Sequence, residues 1–293
     1  MNAIETRKLT KFYGKTRGIE EVDLCVAEGD FFGFVGPNGA GKSTTVRTLL
    51  GLIAPTSGEA SVLGMDVTKE SREILSRVGY LASEVNFYSG MRVGEVLALS
   101  AKLRGVKCEA EQKRLCERLE LDVTRRISEL SLGNRKKVGI VCALQHSPSL
   151  CILDEPTSGL DPLMQREFYT ILQERNEQGA TVFLSSHVLS EVERYCRHVA
   201  VIREGRILVS DDVEKLSYTG IKRVTLRGVE TLPASFAARD VRVEGEALHF
   251  LYDGAPDALL AALAALSPRD VNITDPEFDE VLMHYYAKED AAV

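Results

Sequence analysis

No stretch of this 293-residue chain has the length and uniform apolarity of a membrane span. Its first residues, MNAIETRKLTKFYG, lack the apolar core of a secretory signal. The six cysteines, at 25, 108, 116, 142, 151 and 196, form no C-x-x-C pair. Cys108 and Cys116 would share roughly one face of a helix, but no His or Cys partner stands near them, which argues against zinc. Free buried thiols in a reducing compartment are the expectation. Basic excess is missing too: 36 Lys and Arg against 43 Asp and Glu give a net charge of −7. Residues 217–293 hold 7 basic and 13 acidic side chains, so most of that charge falls there. A nucleic-acid partner would need a basic face, and none is written here. There are no repeats and no low-complexity runs, and the Ala/Leu-rich 260–265 reads as part of a packed helix. What is left is a cytoplasmic globular chain, long enough for one large domain or two smaller ones, with docking onto a membrane protein left open.

Along residues 1–216, strands alternate with helices, which predicts a parallel α/β sheet. DFFGFV (30–35) is a short apolar strand, followed by a Gly-rich turn and a helix from about Gly41. Further strands are expected at 150–153 and 181–185, and helices at 162–178 and through the 190s. Residues 199–203 and 206–209 read as a hairpin across Glu204-Gly205. Beyond Ser217 the pattern changes to short alternating strands at 222–226, 241–243 and 247–252. A helix at 256–266, a strand at 271–273 and a helix at 276–287 follow. The expected domains are therefore 1–216 and a small α+β appendage, 217–293.

Two local patterns carry chemistry. In "CILDEPTSGLD" (151–161) an apolar run stops at Asp154 and Glu155. Adjacent carboxylates at the end of a buried strand repel each other and are both disfavoured by desolvation, and so call for a cation and a reaction that needs a base. The second pattern is Gly36-Pro-Asn-Gly-Ala-Gly-Lys-Ser43, a full match to G-x-x-x-x-G-K-[ST] between a strand and a helix. Such a loop turns backbone N–H groups toward phosphate oxygens, at a helix N-terminus that adds positive potential. Gly36, Asn38, Gly39, Ala40, Gly41, Lys42, Ser43 and Thr44 are the candidate nucleotide-binding residues. Lys42 would reach the β- and γ-phosphates, and Ser43 would give its hydroxyl to Mg²⁺. Asp154 would hold the same ion, and Glu155, pointing to a different side by strand alternation, would orient the attacking water.

With both patterns in place, residues 2–217 resemble an ATP-binding cassette (ABC) ATPase, the motor subunit of ABC transporters, which implies a P-loop NTPase fold. The resemblance puts Tyr13 against the adenine, with Phe12 beside it, and His187 at the γ-phosphate as a catalytic switch. It places Asp161, in Ser158-Gly-Leu-Asp161, at an interface between two cassettes. No N-K-x-D guanine motif occurs, so ATP is expected rather than GTP. The usual L-S-G-G-Q signature is here Leu130-Ser131-Leu132-Gly133-Asn134. Ser131 and Gly133 would still face the γ-phosphate held by a second copy, giving altered affinity or rate. Arg135, Lys136 and Lys137 read as a solvated helix face. In GYLASEVNFY (79–88) Ser83 replaces the usual Gln, so a metal role falls to Ser83 through water or to Glu84. Val85, Phe87 and Tyr88 suit either a transmembrane partner or core packing.

These expectations make an ATP hydrolase that pairs with itself head to tail when it binds ATP and Mg²⁺. It would work at the cytoplasmic face of the membrane and drive export by a separate transmembrane permease. The tail, ending ITDPEFDEVLMHYY (273–286), is similar to those of ABC-2-type exporters of drugs and antibiotics. Two alternatives stand beside it. One is a soluble cassette not coupled to transport; the other is a nucleotide-sensing regulatory subunit of low turnover, suggested by Leu132 and Ser83.

Overall fold

The computed structural model describes residues 1–217, 221–229, 231–233, 236 and 238–275. It divides into two compact units, Met1–Val213 and Glu214–Val293. The first unit begins with β1 (Asn2–Tyr13), β2 (Thr16–Ala27), β3 (Phe31–Val35), α1 (Lys42–Leu49), β4 (Ser57–Val62) and β5 (Met65–Asp66). It continues through α2 (Ser71–Arg77), β6 (Val78–Leu81), α3 (Val93–Arg104), α4 (Glu109–Arg118) and α5 (Leu132–Leu144). Then come β7 (Leu150–Asp154), α6 (Pro162–Glu177), β8 (Thr181–Ser186), α7 (Leu189–Tyr195), β9 (His198–Arg203) and β10 (Arg206–Asp212). A short α8 (Val213–Ser217) spans the division.

Six of these strands form one sheet in the order β10-β9-β3-β8-β7-β6. All its pairs are parallel except β9–β10. Helices pack on it, so its central strands are covered on both sides and read as continuous apolar runs. Every residue of β3, β7 and β8 is buried. Phe183 ties two strands together, its ring 5.9 Å from that of Phe32 and 5.4 Å from that of Phe34. The register aligns the carboxyl ends: Val35 pairs with Ser186, and Asp154 with Ser185. The loops after β3, β7 and β8 therefore leave the sheet side by side, where open parallel sheets place their ligands.

A second, antiparallel sheet, β2-β1-β4-β5, was not anticipated from the sequence. Its long strands carry several register shifts, and Lys8 and Glu21 take left-handed backbone angles. Thr6 and Thr10 are buried in it, which masks the alternation that marks a half-buried strand. Tyr13 closes β1. The β9–β10 hairpin turns at Glu204 and Gly205, both at positive φ (48° and 77°), as tight hairpins require.

Arg118 on α4 bridges Glu167 and Glu174 on α6, and Arg114 reaches Glu174 as well. This network fastens α4, against which α5 packs, to the flank of the sheet.

The second unit contains β11 (Lys222–Arg227), β12 (Ala238–Glu244), β13 (Ala247–Tyr252), α9 (Pro256–Leu266) and β14 (Asp270–Thr274). Its antiparallel sheet runs β12-β13-β11-β14. Alternate residues Leu248, Phe250 and Tyr252 pack with Val224 and Leu226 against Leu259 and Leu263 of α9. The helix expected at 276–287, with most of the tail that suggested ABC-2-type exporters, lies outside the described residues.

Candidate functional site

The loop after β3 bends because two of its glycines have no alternative. A Cβ on Gly36 would stand 2.1 Å from the Ile202 carbonyl oxygen, and Gly41 sits at φ 110°, where side chains clash. Asn38 and Gly39 are exposed at the crest, and Ala40 is buried beneath it. Gly41 opens α1 without a side-chain cap, and the first turn holds no acid. Its N–H groups and partial positive charge are thus left for an anion.

Lys42 is 7% exposed and folds back into the loop, donating to the carbonyls of Gly36 (2.6 Å) and Pro37 (3.3 Å). Its Nζ also lies 3.4 Å from Glu155 Oε1. The other carboxylate oxygen of Glu155 meets His187 Nδ1 at 2.7 Å. Asp154 is buried, with Oδ1 accepting from Ser185 Oγ at 2.7 Å. The two strand-end acids are therefore parted and individually partnered, which offsets the repulsion that made them conspicuous. Strand alternation does not part them: β7 ends at Asp154, and Glu155 turns away through a left-handed backbone, φ 48°. That conformation is costly for a non-glycine residue and occurs where the surroundings enforce it. Here Glu155 N–H donates to the Ser185 carbonyl at 2.9 Å.

The donor set fits Mg²⁺ held largely by a substrate. Among the described residues no cluster of three His, Cys, Asp or Glu could cage a metal. Half-buried Ser43 begins α1 beside Lys42, and Asp154 keeps one carboxylate oxygen free of the Ser185 bond. One hydroxyl and one carboxylate, completed by phosphate and water, are what this small hard cation takes.

The remaining candidates are more scattered. Tyr13 is 47% exposed with Lys11 Nζ 5.4 Å from its ring centroid. A Cβ on Gly18 would come within 3.0 Å of both the Tyr13 ring and the Thr44 methyl. The absence of a side chain there lets the ring approach the start of α1. Ser131 caps α5, its hydroxyl accepting from Asn134 N–H at 3.3 Å. Gly133 lies against Gly159, whose carbonyl oxygen would be 2.5 Å from a Cβ at 133, and Leu132 projects, 65% exposed. Asp161 caps α6 through Leu163 and Met164 N–H groups. α5 packs on β6, α3 and α4, whereas α1 packs on β2, β4 and β7. Ser131 and Gly133 thus belong to a different flank from the phosphate loop.

In the 79–88 segment Ser83 is half-buried and Glu84 exposed. Val85 packs on Gly139, Phe87 is half-buried and Tyr88 is 77% exposed, so core packing accounts for Val85 and not for Tyr88. The largest departure from expectation is the Arg135-Lys136-Lys137 run. Lys136 is 2% exposed and Lys137 8%, not solvated. Burial pulls the Lys136 ammonium down to about 8, against the opposing pull of Asp154 and Glu155. Its partners are backbone carbonyls more than fifty residues upstream, which no local pattern announces. The cysteines are all unpaired; Cys116, Cys151 and Cys196 are buried as expected, whereas Cys108 and Cys142 are half-buried and Cys25 is exposed.

Glycine loop, helix terminus, buried lysine and strand-end acids define the class: a P-loop nucleotide hydrolase. Comparison with known proteins narrows it. The ABC transporter family model matches residues 19–158. The bacitracin transport ATP-binding protein BcrA of Bacillus licheniformis is 41% identical over 70% of this chain and 68% of its own length. The Nod factor export ATP-binding protein I of Rhizobium etli is 31% identical over 99% of this chain and 95% of its own. A solved ATP-binding subunit of an ABC transporter superposes with TM-score 0.69 at 30% identity, covering 73% of this chain and 91% of that one. The chain belongs to the ABC transporter family, as an ATP-binding, ATP-hydrolysing cassette. No helix among the described residues is long and apolar enough to cross a membrane.

Proposed function

We propose that this chain is the motor subunit of an exporter, hydrolysing ATP between two copies of itself to drive a separate transmembrane permease. We assign 1–216 to the ATP-binding domain and 217–293 to an accessory domain. The observation that carries the site is the Lys42–Glu155–His187 chain, 3.4 Å and 2.7 Å link by link, at the aligned strand ends. The β- and γ-phosphates of ATP offer Lys42 stronger acceptors than the carbonyls of Gly36 and Pro37, so binding draws it outward. Glu155, released from Lys42 and held by His187, then orients the water that attacks the γ-phosphate. His187 is half-exposed and stands ready to stabilise the departing charge. Ser43 and Asp154 would hold Mg²⁺, which would supply charge neutralisation at the phosphates.

Among the described residues α5, which Ser131 caps and whose first turn holds Gly133, packs on β6, α3 and α4 rather than on α1, and Leu132 stands 65% exposed beside them. Head-to-tail pairing places these residues over the facing copy's γ-phosphate and makes two equivalent sites. Export is supported by relatives named for bacitracin transport and Nod factor export, and a place at the cytoplasmic face is part of the same proposal. The cargo is set by the permease.

The test is Glu155→Gln. Loss of a water-orienting base lowers turnover by about 10²–10⁴-fold. ATP binding is retained, and the protein accumulates as an ATP-held dimer in size-exclusion chromatography. Native turnover in this variant overturns the assignment.

A further inference from the structure

Burying a lysine costs several kcal/mol unless the charge is compensated. Lys136 pays that cost without an ion pair: among the described residues no carboxylate lies within salt-bridge distance of it. Its Nζ donates instead to the carbonyls of Ala82 (3.1 Å) and Ser83 (2.9 Å). A methionine would fill similar volume with no desolvation, so packing alone does not account for an ammonium here. Its location is telling. Ala82 and Ser83 follow β6, whose last residue, Leu81, pairs with Leu153, the neighbour of Asp154. Lys136 itself lies in the second turn of α5, the helix that Ser131 caps. One ammonium thus joins the Ser131 helix to the loop that leaves the sheet beside the two acids. The Ser83 side chain is short, so the grip on this loop runs through its backbone. The adjoining Val85 packs on Gly139 of the same helix, closing a second contact between the two segments.

We propose that Lys136 is a positioning residue for ATP hydrolysis: it clamps the loop at Ala82 and Ser83 to α5, so that engagement of Ser131 by the nucleotide on a second copy sets the loop's place beside Asp154 and Glu155. This rests on the ATPase reading above. The Lys136 ammonium is engaged by the Ala82 and Ser83 carbonyls rather than by the phosphate loop, so its loss should act on turnover and leave monomer binding alone.

The experiment compares full-length wild type, Lys136→Met and Lys136→Arg. It reads Mg²⁺-ATPase kcat and KM, monomer affinity for a non-hydrolysable ATP analogue, and the melting temperature. Lys136→Met is expected to lower kcat about tenfold or more, with KM and analogue Kd within about twofold. Lys136→Arg, which keeps charge and donors, restores kcat to within about threefold of wild type. Native kcat in Lys136→Met overturns the proposal. So does a loss that Lys136→Arg fails to recover and that follows the melting temperature, because that marks a structural role. Should Lys136→Met fail to fold, Lys136→Leu, which also lacks a donor, is judged by the same criteria. If wild type neither binds the analogue nor turns over ATP, the ATPase reading itself falls. If wild type is active and Glu155→Gln stalls while Lys136→Met does not, only the clamp falls.

Discussion

In Met1–Val213 every residue of β3, β7 and β8 is buried, whereas in Glu214–Val293 the residues of β13 alternate between half-buried and buried. The first arrangement leaves polar groups nowhere to go but the strand ends. There Asp154, Glu155, Ser185 and Ser186 gather beside the glycine loop. The second has a conventional one-sided core, in which Val224, Leu226, Leu248, Phe250 and Tyr252 pack against Leu259 and Leu263. Double coverage of a parallel sheet thus concentrates chemistry, while a half-covered antiparallel sheet supports itself and leaves a face for other contacts.

The sharpest way to break this comparison is to unfold one unit and ask whether the other notices. Phe250 is 2% exposed and its ring meets Phe236 edge-on at 5.4 Å. Phe250→Ala should destabilise the second unit by about 3–5 kcal/mol, through lost burial and the cavity left behind. Calorimetry should show that unit's transition lowered or absent while analogue binding by the first is unchanged. One cooperative transition, shifted as a whole, would show that the units do not stand on separate cores.

Next in size is Lys42→Ala. It removes charge-assisted bonds worth about 1.5–3 kcal/mol, so ATP affinity measured by calorimetry should fall about 10- to 100-fold. The same substitution sharpens the comparison because Glu155 loses its ion-pair partner in the first unit only. The second unit's melting transition should stay in place.

How much of this was readable in advance divides along physical lines. The glycine loop was legible because G-x-x-x-x-G-K-S fixes both the turn and its neighbours. Helix α9 was legible because Pro256 opens it within an apolar, Ala/Leu-rich run; residues 256–266 match the observed Pro256–Leu266. The β9–β10 turn was legible because Glu-Gly fits a turn at positive φ. The antiparallel sheet was hidden by bulges and by buried threonines that break its alternation. The divergence of Asp154 and Glu155 was expected, but for the wrong reason, since a left-handed glutamate has no sequence signal. Lys136 was misread because long-range backbone acceptors, not neighbouring residues, decide whether an ammonium is buried.

The smallest effect asks which unit's stability senses mild acid. His146 follows α5, and burial, then the nearby Arg104 charge, pulls its imidazole down to about 4. An unfolded histidine titrates near 6.5. Between those values the unfolded chain binds a proton that the folded chain does not, so stability rises with pH across that window. Acidifying from about pH 6.5 to about pH 4 should therefore erode the first unit, and the contribution levels off below the folded value. In His146→Leu the melting temperature of the first unit should fall less steeply over the same range, while the second unit's pH dependence matches wild type. An unchanged slope would mean that the carboxylates of the first unit, rather than this imidazole, govern its response to acid.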